Sequence, residues 1–230
     1  RFYGLVGELR LSSRTDINFE GDEDRYRYKN DLTDPFFEGD LTKLDRHQET
    51  YMARVTHHTF PRTSLTFSVE DDEYHFVDKV RDSRRTGSYI GAHRRGAGTS
   101  VFDVLVGVAK IDFNDPTFHG YRGVLGSASW TDQIRHRYDT SLSIQRDLDF
   151  STFQNNAYYV TTTAGGTFGL PIGRKLTIDF FARGGLDQYQ QESEEIDGVF
   201  DQRLAKVGTA GAGFLCSIPR RIRPGLARGH

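Results

Sequence analysis

The order of the connections between predicted strands constrains this chain more than any other feature of its sequence. Segments of alternating polarity, each long enough to form a strand, are joined by connections that are short and long in turn. A soluble β protein has no reason to sort its loops in this way, whereas a membrane barrel carries tight turns at one rim and long loops at the other. The pattern predicts an all-β fold, an antiparallel transmembrane up-and-down β-barrel.

The composition fits such a barrel although it resembles that of a soluble protein. The mean hydropathy is -0.59, and 27% of the residues are charged. Only alternate residues of a barrel strand face lipid, so a polar composition is compatible with a membrane location. No segment approaches the roughly 20 consecutive apolar residues of a spanning helix, which excludes a helical membrane protein. The net charge of -2, with acidic and basic residues interspersed, gives no sign of a nucleic-acid partner.

About ten segments have the length and alternation expected of tilted membrane strands. In the first, 2–13, leucines occupy one face while Glu8 and Arg10 occupy the other. The other predicted strands are 49–60, 63–69, 86–94, 100–111, 121–131, 137–146, 157–168, 175–186 and 203–215. A soluble sandwich with bulges is the alternative, since it also explains the many glycines within these segments.

The predicted domain is a barrel over residues 1–215, followed by a basic tail at 216–230. Its long loops are predicted at 14–46, 70–85 and 187–202, and analogy with known barrels places them outside the cell. The first of these loops is unusually aromatic, which predicts contact with the barrel mouth or with a partner chain; its aromatic residues are Tyr26, Tyr28, Phe36 and Phe37.

Alternation also assigns individual side chains. Polar residues on the inward positions are predicted to face the lumen, and aromatic residues near strand ends are predicted to form an interfacial girdle. The predicted lumen-facing residues are Glu8, Arg10, Arg54, Asp103, Gln145, Asp179 and Arg183. The predicted girdle consists of Tyr3, Tyr51, Phe60, Tyr89, Tyr121 and Trp130.

The sequence offers little support for catalysis or metal binding. His57 and His58 are adjacent in a strand, so they point to opposite faces and do not converge on one metal ion. The acidic run 70–73 with His75 has the composition of a solvated loop, of a site that bridges lipopolysaccharide phosphates through cations, or of a catalytic rim cluster. A Gly-x-Ser-x-Gly elbow is missing around Ser127. We therefore expect no enzyme activity, no metal and no cofactor.

Five stretches carry a resemblance to a known family: RTSLTFS at 62–68, DSRR at 82–85, VGVAKIDF at 106–113, YRGVLGSA at 121–128 and SLSIQR at 141–146. Together they resemble the β-barrel porin family of outer-membrane proteins associated with exopolysaccharide biosynthesis and export operons. The resemblance covers roughly residues 62–189 and is a pattern of strands rather than a catalytic signature.

The resemblance implies a bacterial outer-membrane location, lipopolysaccharide as the surrounding lipid, and polysaccharide or an envelope protein of a secretion system as partner. Family members end on a strand with a terminal aromatic residue, which this chain lacks after Leu215. Closing strands are then absent, or the end is atypical. The predicted function is a passive conduit or scaffold in exopolysaccharide export. A barrel that binds a partner protein through its long loops is the first alternative, and an outer-membrane hydrolase is the second.

Overall fold

A single antiparallel sheet of 11 strands accounts for nearly all of the described chain. The structure is a computed structural model that describes residues 2–28, 41–96, 98–134, 137–151, 156–172, 176–192 and 202–216. The order of the strands in the sheet is their order in the chain, which confirms the prediction of an all-β, up-and-down antiparallel topology. The strands are β1 Phe2–Ser12, β2 Thr15–Tyr26, β3 Arg46–Phe60, β4 Thr63–Phe76, β5 Ser83–Arg95, β6 Val101–Phe113, β7 Tyr121–Ile134, β8 Tyr138–Phe150, β9 Tyr158–Ile172, β10 Leu176–Glu192 and β11 Gln202–Cys216, with short 3₁₀ helices at Leu41–Leu44 and Lys79–Arg81.

Strand β2 lies within the predicted loop 14–46, so the loop prediction is wrong for this stretch. The strand is rich in acidic residues, which gave it the composition of a loop. Its acidic residues at even positions share one face, whereas Ile17 and Phe19 lie on the other face, opposite Leu9 and Gly7 of β1. A strand with one polar face needs apolar residues only at alternate positions.

Strands also extend into the other two predicted loops. Strand β4 continues to Phe76 and β5 begins at Ser83, so the loop predicted at 70–85 shortens to 77–82. Charges within strands are tolerated here because they pair across the ladder: the guanidinium of Arg84 lies 2.5 Å from the carboxylate of Asp71. The loop predicted at 187–202 is strand at both of its ends. Residues 193–201, the tail after Cys216, and Phe36 and Phe37 lie outside the described residues.

Short and long connections alternate along the whole sheet. The strand ends that flank the short connections, 13–14, 61–62, 96–100, 135–137 and 173–175, all lie at one end of the sheet, which we call the short-turn end. The strand ends that flank the longer connections, 27–45, 77–82, 114–120, 151–157 and 193–201, all lie at the opposite end, which we call the long-connection end. The sorting of connections that the sequence indicated is therefore present.

The ladder separates the side chains into two faces of different chemistry. A row of directly opposed residues runs through Val55, Phe67, Ile90 and Val106 across four strands. Large apolar side chains on this face, the apolar face, are exposed from β1 to β10; they include Leu5, Phe19, Val55, Phe67, Ile90, Val106, Val124, Leu142, Ile144, Phe168 and Phe180. Most side chains of the opposite face are polar, and we call it the polar face, although it also exposes Val6 and Phe181.

The sheet curls toward its polar face. The rings of Tyr74 in β4 and Phe150 in β8 are 4.8 Å apart, and those of Phe113 in β6 and Tyr158 in β9 are 5.7 Å apart, although neither pair belongs to neighbouring strands. Among the described residues, β1 pairs with β2 alone and β11 with β10 alone, so the two edges are not joined. No helix in the described ranges has the length and apolar character needed to cross a membrane.

Candidate functional site: the polar face and its plug cluster

The residues predicted to face a lumen all belong to the polar face. The register places Glu8, Arg10, Arg54, Asp103, Gln145, Asp179 and Arg183 on this one face. Asp103 and Arg183 even occupy the same transverse row, separated by Ser129, Ser143 and Gly165. Sequence alternation thus grouped them correctly by face, while their lining of a lumen stays a prediction.

Several of these side chains are bound by immediate neighbours. The hydrogen-bonded pairs are Arg10 Nε to Asp16 Oδ1 at 3.1 Å, His93 Nδ1 with Asp103 Oδ1 at 2.5 Å, Gln145 Nε2 to Asp147 Oδ2 at 3.2 Å, and Arg183 Nη2 to Thr163 Oγ1 at 3.4 Å. They are spread along the face and do not converge on one reactive point. No group of histidine, cysteine or acidic residues suited to a metal ion occurs among the described residues.

The adjacent histidines have separate partners on opposite faces. His57 Nδ1 lies 3.0 Å from Thr15 Oγ1, and His58 Nε2 lies 3.2 Å from Asp16 Oδ2. Neighbouring residues of a strand diverge in this way, so the two imidazoles do not share a ligand position.

A buried aromatic cluster occupies the polar side of the sheet toward its long-connection end. We call it the plug cluster; its residues are Tyr74, Phe76, Tyr89, Ile111, Tyr121, Leu125, Leu148, Phe150, Tyr158 and Val160. Phe150 packs edge-on against both Tyr74 and Phe76, with ring centroids 4.8 and 4.9 Å apart. Tyr158 packs in the same manner against Tyr121 at 6.0 Å. The curled sheet is therefore filled by side chains at this end.

The plug cluster contains two residues that were predicted to form the aromatic girdle. Tyr89 and Tyr121 are buried on the polar side, so the girdle prediction is wrong for both. Each lies next to a residue of the apolar face, Ile90 and Arg122, and neighbouring side chains in a strand point to opposite faces. The remaining predicted girdle residues lie on the apolar face: Tyr3, Tyr51, Phe60 and Trp130.

Next to the plug cluster lies a partly buried hydrogen-bonded group, the charge cluster, made of Thr50 and the charged residues Glu70, Asp72 and Arg85. Arg85 Nε donates to Asp72 Oδ2 at 2.8 Å, and Arg85 Nη2 donates to Glu70. Thr50 Oγ1 donates to the second carboxylate oxygen of Asp72 at 2.6 Å. Asp72 is only 1% exposed, so its charge depends on these partners.

The end of the β8–β9 hairpin parts from β7 but stays paired with β10 at Tyr159 and Val160. Pairing between β7 and β8 ends at Gly126 and Arg146, whereas pairing between β8 and β9 continues to Phe150 and Tyr158. An undisturbed ladder would place Leu148 and its even-numbered neighbours on the apolar face, but they are buried in the plug cluster. Residues 147–151 and 157–160, which we call the hairpin tip, therefore bend across the polar face.

Arginines from three different elements contact the hairpin tip. Arg81 Nη1 donates to the Ser151 carbonyl oxygen at 2.6 Å. The guanidinium of Arg46 lies 5.1 Å from the centre of the Phe150 ring, and Arg85 Nη1 lies 3.8 Å from Asp147 Oδ1. Burial lowers the pKa of the Arg81 guanidinium, and the nearby Asp78 carboxylate opposes that shift. Arg81 stays charged at neutral pH because its ordinary pKa is so high.

The plug cluster was not predicted from the sequence. The position of one of its residues could have been predicted, and that of another could not. The inward position of Tyr89 was readable from alternation, since Ile90 beside it belongs to the apolar face. The position of Phe150 was not readable, because it depends on where pairing between β7 and β8 stops.

No protein-family model matches this chain, and neither a curated protein nor a solved structure matches it. Functional inference therefore depends on the arrangement of its residues.

Proposed function

We propose that this protein is a bacterial outer-membrane β-barrel that acts as a passive conduit or scaffold, with a role in exopolysaccharide export. One observation carries the membrane location, namely the exposed apolar face on a sheet whose other face is polar. The export role rests on the family resemblance of residues 62–189. A soluble protein rarely leaves so large an apolar surface in contact with water. In a membrane the same surface contacts lipid, and the polar residues face the interior.

The dimensions of the apolar face support a membrane location. In β6 it extends from Phe102 through Val106 and Val108 to Lys110, where charge begins. The apolar part spans roughly 20 Å along the strand at about 3.4 Å per residue, slightly less than the roughly 25 Å band of known barrels. Tyr51 lies toward the long-connection end of the apolar face and Phe60 toward the short-turn end, as interfacial aromatic residues do.

The polar face supports the conduit version of the proposal. Hydroxyl groups of Ser129 and Ser143 separate the charged side chains of Asp103 and Arg183 in one row. Such a surface interacts with polar solutes through hydrogen bonds and through the electric field between the opposite charges of Asp103 and Arg183. The buried plug cluster narrows passage at the long-connection end.

The scaffold version draws on two aromatic residues where the first long connection begins, Tyr26 at the end of β2 and Tyr28 in the connection. Arg46 lies over the Tyr26 ring at 4.4 Å, and its Nη1 atom donates to Tyr28 Oη at 3.3 Å. The Tyr28 main-chain N–H donates to Asp45 Oδ1 at 2.6 Å. These contacts hold the start of the connection against the sheet, where it is positioned to meet a partner chain.

Fractionation and conductance together test the proposal. The protein should be extracted from outer membranes with detergent and should migrate faster unheated than boiled, because a folded barrel resists denaturation. Recovery as a monomer without detergent would reject the membrane location. In planar bilayers, Asp179→Ala with Arg183→Ala should alter conductance, whereas Thr177→Ala on the same strand and face should not.

Deletion of the gene tests the export role. Secreted polysaccharide should fall without loss of a hydrolytic activity from the envelope. Normal polysaccharide output together with zero conductance would reject the conduit and favour the scaffold.

A further inference from the structure

We propose that a pocket at the short-turn end binds the phosphate group of an anionic membrane lipid. We call it the arginine pocket; it has a volume of about 540 Å³ and is lined by Phe60, Arg62, Thr63, Arg94, Arg95 and Gly96. The inference rests on the proposed membrane location and deepens it, because it names the class of lipid that one part of the sheet selects. It needs no passage through a lumen and is therefore independent of the conduit function.

The main chain brings the three arginines of the pocket together. Arg62 lies in the turn between β3 and β4, and its carbonyl oxygen accepts a hydrogen bond of 2.8 Å from the main-chain N–H of Arg95. This bond continues the β4–β5 ladder by one residue beyond the pair of Thr63 and Arg94. Arg62 Nη1 also donates to the Gly96 carbonyl oxygen at 3.4 Å. The turn therefore fixes the positions of the arginines although their charges repel one another.

The arginine pocket contains three guanidinium groups and no carboxylate. No acidic residue of the described chain lines it, and no described carboxylate forms an ion pair with any of its arginines. On the same sheet Arg84 is paired, since its guanidinium lies 2.5 Å from the carboxylate of Asp71. Neighbouring like charges destabilise a sheet, so an anion that binds between them is stabilising.

The carboxylates at this end of the sheet are held by other groups. Asp103 Oδ1 lies 2.5 Å from His93 Nδ1, and Asp132 Oδ1 accepts a hydrogen bond from the Thr99 hydroxyl at 3.0 Å. These contacts keep both carboxylates away from the arginine pocket. The negative charge that the pocket lacks is therefore supplied from outside the chain.

The position of the pocket at the border of the apolar face selects a lipid among the possible anions. Phe60, which is 65% exposed, and Arg94 both lie on the apolar face. Arg94 is directly opposite Phe102, where the apolar part of β6 begins. A ligand that contacts the guanidinium groups and also this apolar surface has a negative head and an apolar tail. That is the chemistry of an anionic lipid at a membrane interface.

Arginine suits the phosphate of such a lipid better than lysine does. A guanidinium group presents parallel N–H donors that bind two phosphate oxygens at once. A zwitterionic lipid carries an ammonium group near its phosphate, and the other arginines of the pocket repel that group. The arginine pocket should therefore prefer an anionic phospholipid to a zwitterionic one.

The single tryptophan reports which lipid lies beside the pocket. Trp130 is directly opposite Phe102, so it lies in the same transverse row as Arg94 and two strands away. The separation is roughly 10 Å, because neighbouring strands are about 4.8 Å apart. Trp130 Nε1 donates to Ser100 Oγ at 3.0 Å, which holds the ring at the short-turn end. Brominated acyl chains quench tryptophan fluorescence at close range and thus reveal the neighbouring lipid.

Fluorescence quenching in mixed vesicles tests the site. The protein is folded into vesicles of phosphatidylcholine and phosphatidylglycerol in equal amounts, with bromine on the acyl chains of one lipid at a time. Quenching of Trp130 should show a several-fold local enrichment of phosphatidylglycerol. Arg94→Gln should reduce this enrichment, and Arg94→Gln with Arg95→Gln should abolish it.

The matched control is Arg54→Gln, which removes the same charge as Arg94→Gln but from the polar face. It should preserve the enrichment. All variants are compared at equal fractions of folded protein on unheated gels, so that misfolding does not imitate loss of the site.

Several outcomes would overturn the proposal. Equal quenching by the two lipids in the unsubstituted protein would do so, as would an enrichment that survives in the double variant. Loss of the enrichment on addition of polygalacturonate at constant ionic strength would assign the pocket to an acidic polysaccharide, and loss on addition of inorganic phosphate would assign it to a free anion. Failure to enter any vesicle would reject the membrane location itself, whereas insertion with equal quenching would reject the lipid site alone.

Discussion

Tyr89 lies directly opposite Gly107 in the β5–β6 ladder, and its ring occupies the space that a side chain at position 107 would need. A Cβ atom there would lie 2.4 Å from Tyr89 Cδ1 and 2.2 Å from the Ser88 carbonyl oxygen. The glycine thus permits an aromatic ring of the plug cluster to lie flat on the sheet. This explains a small residue in a strand where flat sheets disfavour one.

Gly107→Ala should destabilise the fold by roughly 1–3 kcal/mol, because the clash involves backbone and a packed ring. Gly7→Ala is the control, since a Cβ atom at Gly7 meets nothing within 4 Å. Urea unfolding in detergent, followed by the fluorescence of the single tryptophan, Trp130, would measure the free energy of unfolding of both variants. Equal stabilities for the two variants would show that the Tyr89 ring does not lie against Gly107.

Arg85→Ala should lower the free energy of unfolding by roughly 3–5 kcal/mol, because the buried carboxylate of Asp72 loses its cationic partner. Arg84→Ala should have a much smaller effect, since the Arg84 side chain is 58% exposed in its pair with Asp71. The two arginines are neighbours in sequence, lie on opposite faces of β5 and differ in burial. Their unfolding midpoints should therefore separate clearly, and coincident midpoints would contradict the burial of the charge cluster.

Val106→Arg should weaken insertion into lipid vesicles by roughly 2–4 kcal/mol if the apolar face contacts the membrane. Gln145→Arg should be tolerated, because Gln145 belongs to the polar face. The fraction of folded, fast-migrating protein on unheated gels measures how well each of the two variants inserts. Similar folded fractions for the two variants would refute the assignment of the faces to lipid and interior.

Tyr158→Phe should change the free energy of unfolding by less than about 1 kcal/mol, since the buried hydroxyl of Tyr158 has no hydrogen-bond partner within the described chain. Tyr158→Ala should cost roughly 3–5 kcal/mol through the cavity that it leaves. The difference between the variants measures the packing of the ring alone. A large loss in Tyr158→Phe would instead reveal a polar partner for the hydroxyl.

Alternation of polarity predicted more of the fold than composition did. It located most strands, and it grouped the seven residues that were predicted to face the lumen on one face, because side chains of a strand alternate strictly. Composition failed at β2, where acidic residues at alternate positions resemble a loop. It failed again in β4, where Asp71 and Asp72 pair with arginines of the next strand.

The sequence by itself determined most of the strands, their up-and-down order and the two faces, since these follow from local periodicity and from short connections between neighbours. Only the tertiary structure decided the plug cluster and the bend of the hairpin tip. Phe150 meets Tyr74 across strands that are not neighbours, so their contact depends on how far the sheet curls and on where β7 and β8 part. Curl is a property of the whole sheet, summed from the twist at every strand pair, and no single segment encodes it.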